Sequence, residues 1–393
     1  MARFPRSEFA ARYEKTRDAM ERARIDGLML SGDDHILYYT GMKSIFPWFT
    51  YTRPFVFILP VHEEPTLIIH GRYEGWIESD FPVDDVRSYH TKEGITPVTL
   101  IEEALKDKKL AGERIGSEIG NDQRIGMPVK DYIGLTNLLP KSEFVDASAL
   151  LQKLRIVKSP AEAAYIEKAA QILNHAYEAF FQERFEGRTE REAAAVLSAH
   201  IGREGADRVG FISVNAMGRM YTPSDRVLKK GETFLVDAGA LYEDYWAEFS
   251  RMAVVGRPNA KQSEMHQLVV DVLEKVTEEV RPGIKPSELV EIHRREFEIR
   301  GFPEHSASSF AERGYCTRQT MKGEMIGHGI GILGIEPPYL TQDNDVPLEA
   351  GMCFTPEPAI YTEYGIFHQE HNVIATEKGH RVLSTVSTEL YQI

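Results

Sequence analysis

Apolar positions recur along the chain with two periods, and the alternation between them predicts its elements. Residues 7–25 form an amphipathic helix opened by Ser7, with Phe9, Tyr13 and Met20 on or near one face. Short apolar runs bounded by turn residues follow. GLMLSG, FVFILP and TLIIHG read as strands. Helical spacing returns at 98–108 and 128–138, with a strand at RIGSEIG between them, and strands alternating with helices predict an α/β domain ending near residue 150. In LRIVKSPAE, Ser159 is a helix N-cap with Pro160 at the first helical position and Glu162 at the third, so a long helix over 160–184 starts there. A second helix, 189–205, begins after Thr189. Strands RVGFISVNA, TFLVDAGA and YWAEFSRMAVV come next, then helices at 263–280 and 286–300. Strand-like segments then run through GEMIGHGIGI, GMCFTPEPAIY and HNVIAT. Helix pair, strands, helix pair, strands is the pattern of an internal duplication, without a repeat in the residues themselves.

Within this pattern one predicted hairpin, residues 236–251 (VDAGALYEDYWAEFSR), sets Asp237 and Glu248 in a mostly apolar context. An unpaired carboxylate costs several kcal/mol to desolvate, so such acids imply a cation. The cation is either an arginine, such as Arg251, or a metal.

Composition narrows the partners. The length of 393 residues fits two domains better than one core, placed at 1–155 and 156–393. A net charge of −14 argues against nucleic acid and against an anionic membrane surface. The two cysteines, Cys316 and Cys353, build no disulfide framework and match no zinc spacing. The segment MARFPRSEF lacks an apolar leader core, and no apolar run is long enough to span a bilayer, so a soluble, cytoplasmic protein is expected.

Three further residues join the hairpin acids: His328 in GHGIG, Glu357 in TPEPAIY and Glu370 in FHQEHN. Four carboxylates and one imidazole make an oxygen-rich set suited to two divalent ions such as Mn, Fe, Co or Zn rather than to a thiolate zinc site. Such a pair polarises a carbonyl and supplies hydroxide at neutral pH, while a neighbouring carboxylate moves the proton to a leaving nitrogen. Taken alone, the glycines at 327, 329 and 331 are accounted for by backbone turns.

In order along residues 155–390, these motifs resemble those of the pita-bread metallopeptidase family: prolidase, Xaa-Pro aminopeptidase, methionine aminopeptidase and their relative creatinase. VDAGALYEDYWAEFSR resembles the stretch carrying two metal-binding aspartates and a following arginine. GHGIG resembles the segment with the ligand histidine, LEAGMCFTPEPAIY the segment with the first ligand glutamate, and the run from Gly365 to Gly379 the segment with the last. The extra N-terminal domain and the RIVKSPAE junction match the prolidase and creatinase branch. The resemblance implies an N-terminal creatinase/prolidase-like α/β domain followed by a C-terminal pita-bread domain, an α/β (α+β) chain. It places Asp237, Glu248, His328, Glu357 and Glu370 on ligand positions for two divalent metal ions, with Glu357 as proton shuttle and His328 beside it in the catalytic set. Glu248 stands where the family carries aspartate, one methylene longer.

Two other departures concern substrate. The family's peptidases carry a histidine before the PSDR-like turn, where this chain has Met220 beside Tyr221, and another seven residues after the ligand histidine, where it has Ile335. Where an arginine is common near the last ligand stands His368 or Gln369. Tyr221, His368 and His371 are therefore the candidate substitutes for substrate binding. In this branch, dimerisation brings the N-terminal domain of one subunit to the active site of the other. HILYYTG and FPWFTYTRPF, with Trp48, Tyr51 and Arg53, are thus candidate substrate walls. The expectation is a homodimeric metal-dependent hydrolase of a C–N bond in a small substrate, such as an Xaa-Pro dipeptide or modified amino acid. The alternatives are a creatinase-like or ectoine-hydrolase-like enzyme for a small nitrogenous metabolite with optional metal, and a catalytically inactive binding module. Creatinase works without metal and its metal positions are largely replaced, whereas acids and a histidine remain at them here.

Overall fold

The chain divides into two units, Met1–Arg155 and Ile156–Ile393. The computed structural model describes residues 4–44, 46, 50–90, 97–216, 222–302 and 325–393. Trp48, Met220, Tyr221 and Cys316 lie outside the described residues.

In the first unit α1 (Arg6–Ala23), β1 (Gly27–Leu30), α2 (Asp33–Thr40), β2 (Val56–Pro60), β3 (Thr66–His70), β4 (Asp85–Tyr89), α3 (Val98–Asp107), β5 (Arg114–Ser117), α4 (Val129–Leu138), β6 (Glu143–Asp146) and α5 (Ser148–Ile156) follow one another. The strands make one six-stranded sheet in the order β4-β3-β2-β1-β5-β6. β1, β2 and β3 pair antiparallel, and the outer pairs are parallel. Met29, Val56, Ile58, Ile68 and Ile115 pack with Ile101, Leu105 and Leu135 of the helices. α1 starts at Arg6 after Pro5, and no side chain caps it, so the expected Ser7 cap is not used. HILYYTG falls in α2, a helix the pattern did not predict, and its tyrosines are core. Tyr39 stacks on Phe57 and is buried, and Tyr38 crosses it edge-on. They are therefore no substrate wall within this unit. Arg53 sits in a turn before β2, half-buried.

The second unit opens with α6 (Pro160–Phe180) and α7 (Glu190–Arg203). Both carry complete capping boxes, Ser159 with Glu162 and Thr189 with Glu192. Next come β7 (Arg208–Ala216), β8 (Thr233–Tyr242), β9 (Tyr245–Val254), α8 (Ala260–Glu278) and α9 (Pro286–Ile299). The chain closes with β10 (Gly327–Gly329), β11 (Cys353–Pro356), β12 (Ala359–Thr362), β13 (Gly365–His368), β14 (Val373–Thr376), β15 (Gly379–Val382) and β16 (Tyr391–Gln392). One sheet runs β16-β9-β8-β7, a second β10-β11-β14-β15, and β12 pairs with β13 as a hairpin. α8 and α9 bury Val269, Val272, Val276, Leu289 and Phe297 against Phe354, Ile360, Phe367 and Val373 of the later strands. The helix-pair-then-strands pattern thus recurs, each pair facing its own strands. No helix among the described residues is long and apolar enough to cross a membrane.

Candidate metal centre

Strand alternation decides which hairpin side chains meet. β8 and β9 pair with Asp237 opposite Ser250 and Gly239 opposite Glu248. Residues two apart share a face, so Asp237 and Glu248 are diagonal neighbours on one side of the sheet. Arg251 is three positions from Glu248 and projects from the other side. There its fully buried guanidinium donates to the carbonyls of Ser250, Glu370, Ser384, Val386 and Ser387 at 2.6–3.3 Å. Arg251 is therefore not the cation that neutralises the acids. Among the described residues no lysine or arginine forms an ion pair with Asp237, Glu248, Glu357 or Glu370.

The other side chains are brought in by the second sheet and the β12–β13 hairpin. His328 pairs across with Thr355 in the β10–β11 ladder. Gly327 and Gly329 on either side of it are strand residues rather than turn residues. A Cβ at Gly327 would overlap the Thr355 carbonyl oxygen, and one at Gly329 the Pro337 carbonyl oxygen, so it is backbone proximity that excludes side chains there. Glu357 precedes β12, and His368 and Glu370 lie at the far end of β13. Asn372 then ties this run to the first sheet. Its side-chain oxygen accepts from Glu248 N at 3.1 Å, and its amide donates to Glu248 O at 2.6 Å.

His328 Nε2 stands 3.5 Å from Glu248 Oε1 and 3.7 Å from Glu357 Oε1, and His368 Nε2 stands 3.7 Å from Glu357 Oε2. One ligand atom from each of Glu357, His368 and Glu370 lies within 4.8 Å of the others. All six side chains, Asp237 included, are buried. Among the described residues, Asp237 Oδ1, Glu248 Oε1 and Glu357 Oε1 have no hydrogen-bond partner. Burial pushes the Asp237 carboxyl up to about 7. Burial, and then the charge of their acidic neighbours, holds Glu248, Glu357 and Glu370 well above the usual carboxylate range. Burial lowers His328 to about 4, so its ring is neutral at physiological pH. Nδ1–H donating to the Gly329 carbonyl at 3.1 Å leaves the Nε2 lone pair aimed at the acids. Buried, unpartnered carboxylate oxygens facing a neutral imidazole fit hard divalent cations.

His371 turns to other partners, with Nδ1 on Ser384 Oγ at 2.8 Å and Nε2 3.5 Å from Glu274 Oε1. Trp246 was missed by the sequence reading. It lies two positions before Glu248 and so on the same face, its ring over Gly239 and Gly334 and stacked with Phe211 at 6.5 Å between centroids. The signal was available in the period of two and in the glycines that leave room for an indole. Ile335 is 58% exposed and offers no polar donor.

Residues 164–377 match the model of metallopeptidase family M24, and residues 12–157 match the creatinase/prolidase N-terminal domain. The chain belongs to metallopeptidase family M24 and is a prolidase-like hydrolase with an N-terminal creatinase-like domain and a C-terminal pita-bread domain, and the family implies divalent metal ions. Xaa-Pro dipeptidases of Pyrococcus horikoshii and Pyrococcus furiosus are both 32% identical to it. The matches span 63% and 66% of this chain and 68% and 72% of theirs. The crystal structure of recombinant prolidase from Thermococcus sibiricus superposes with a TM-score of 0.84 at 25% identity, covering 98% of this chain and 99% of that one.

Proposed function

We propose that this chain hydrolyses a C–N bond in a small substrate, a dipeptide or modified amino acid, with two divalent ions held by Asp237, Glu248, His328, Glu357 and Glu370. The observation that carries this reading is the set of buried carboxylates, three of which (Asp237, Glu248 and Glu357) each hold an oxygen without a hydrogen-bond partner among the described residues, and whose own repulsion calls for a cation. When bound, the ions supply Lewis acidity and a nucleophilic hydroxide at neutral pH. Glu357, between two imidazoles, accepts the proton of the attacking water and returns it to the leaving nitrogen. His328 holds its orientation through Gly329, and Asn372 and Arg251 fix the backbone of Glu248 and Glu370. Trp246 and Phe211 form an apolar wall beside Glu248 for the substrate's body.

Metal analysis after gentle purification, paired with activity before and after chelation, tests this. At least one transition metal per subunit and loss of activity on chelation are expected. Less than one metal with full activity after chelation defeats the reading. A second reading, hydrolysis of a small nitrogenous metabolite other than an Xaa-Pro dipeptide, is favoured by Ile335, which cannot replace a hydrogen-bond donor. Loss of one oxyanion donor costs about 10²–10³ in rate. Xaa-Pro dipeptides are therefore expected to be slower substrates than the best of creatine, cyclic amidines and N-acyl amino acids. Prompt Xaa-Pro cleavage returns the assignment to a dipeptidase.

A further inference from the structure

We infer that His368 is a metal ligand, so that the cation pair has an imidazole at each end with Glu357 between them. This rests on the metallohydrolase reading above and adds a sixth side chain to it.

The inference starts from chain geometry. A single hairpin carries Glu357 just before β12, His368 as the last residue of β13 opposite Ala359, and Glu370 two positions beyond. Folding that hairpin is enough to bring two carboxylates and an imidazole together, and their ligand atoms lie within 4.8 Å of one another. The separations then discriminate between roles. His328 Nε2 to Glu357 Oε1 and His368 Nε2 to Glu357 Oε2 are both 3.7 Å, beyond good hydrogen-bond length. Two donors each about 2.1 Å from a common ion stand roughly 3–4 Å apart, which is the spacing found on both sides of Glu357. The two oxygens of one carboxylate therefore face two different imidazoles. His368 is also fully buried, a poor place from which to meet a substrate arriving from solvent and an ordinary one for a ligand.

The chemistry of the centre changes accordingly. With carboxylates and one histidine, five side chains make a mainly oxygen site. With His368 the second ion also has a nitrogen, and imidazole suits zinc, iron, copper and nickel, whereas carboxylate-rich sites suit manganese and magnesium. The centre should thus prefer zinc or iron over manganese.

X-ray absorption on the full-length protein loaded with two equivalents of zinc tests this without any variant. Two imidazoles per metal pair are expected, and one overturns the inference. Calorimetric zinc titration of His368→Ala and of His368→Gln, each checked for folding by circular dichroism, assigns the second imidazole. One ion should bind as in the unaltered protein and the other at least about tenfold more weakly, with the imidazole count falling from two to one. If both variants bind both ions with unchanged affinity while KM for substrate rises, His368 contacts substrate and the inference fails while the metallohydrolase reading stands. An unaltered protein that binds no zinc, iron or manganese defeats both.

Discussion

At the scale of single residues, the governing fact is that four acids are buried together and, among the described residues, none of them is ion-paired with a lysine or arginine. Without metal, Asp237 holds its proton up to about pH 7, whereas the unfolded chain releases it near 4. The folded state therefore binds the extra proton between about pH 4 and 7, and the metal-free protein loses stability from this group as pH rises through that window. Asp237→Asn removes the titration. Chemical denaturation of chelated protein should find the variant as stable as the parent near pH 4 and more stable by a few kcal/mol at pH 7, with the order reversed once metal is added. Equal pH slopes for the two chelated proteins would contradict this. Trp246→Ala removes the proposed wall without touching a carboxylate. KM should rise about tenfold or more with metal content unchanged, which substrate kinetics and metal analysis together read out.

At the scale of elements, the site depends on how strands and loops are pinned. The loop after His328 is held by Lys158 Nζ on Glu336 Oε1 at 2.8 Å, both almost fully buried. Removing one partner of such a pair leaves the other charge uncompensated, at a cost of about 3–5 kcal/mol. Lys158→Met should lower stability by that order, and Lys158→Met with Glu336→Gln should recover much of it. Thermal denaturation of the single and double variants measures the coupling, and simple additivity would show that the pair is not acting together. Gly329 lies in the same region, where the Pro337 carbonyl oxygen passes close to its Cα. The helices illustrate the opposite case, in which a local rule suffices. Ser159, Pro160 and Glu162 close the N-terminus of α6 as the residues alone indicate.

At the scale of the whole molecule, the candidate ligands all belong to the second unit. All six join its two sheets and its β12–β13 hairpin, with Asp237 and Glu248 more than a hundred residues before Glu357 in the chain. Cations bound there stabilise that unit by mass action, about 2.7 kcal/mol at a hundredfold excess over Kd. Scanning calorimetry should show a transition that moves down on chelation and returns when metal is restored. A trace unchanged by chelation would mean that no ion bridges these elements.

Much of this was legible beforehand wherever a local pattern determines the outcome. Strand alternation, capping boxes and the order of the acid and histidine motifs read directly, because each depends on residues within a few positions. Helix α2 did not, because its buried tyrosines leave no polar face to mark a period. The choice between Arg251 and a metal needed the register, since only the pairing of β8 with β9 and the carbonyls of residues 384–387 show where the guanidinium goes. The placing of Glu357 between His328 and His368 is likewise a tertiary result. The residues alone supply the ligand types and their order, but distances between side chains on separate strands arise only when the sheets and the hairpin are packed together.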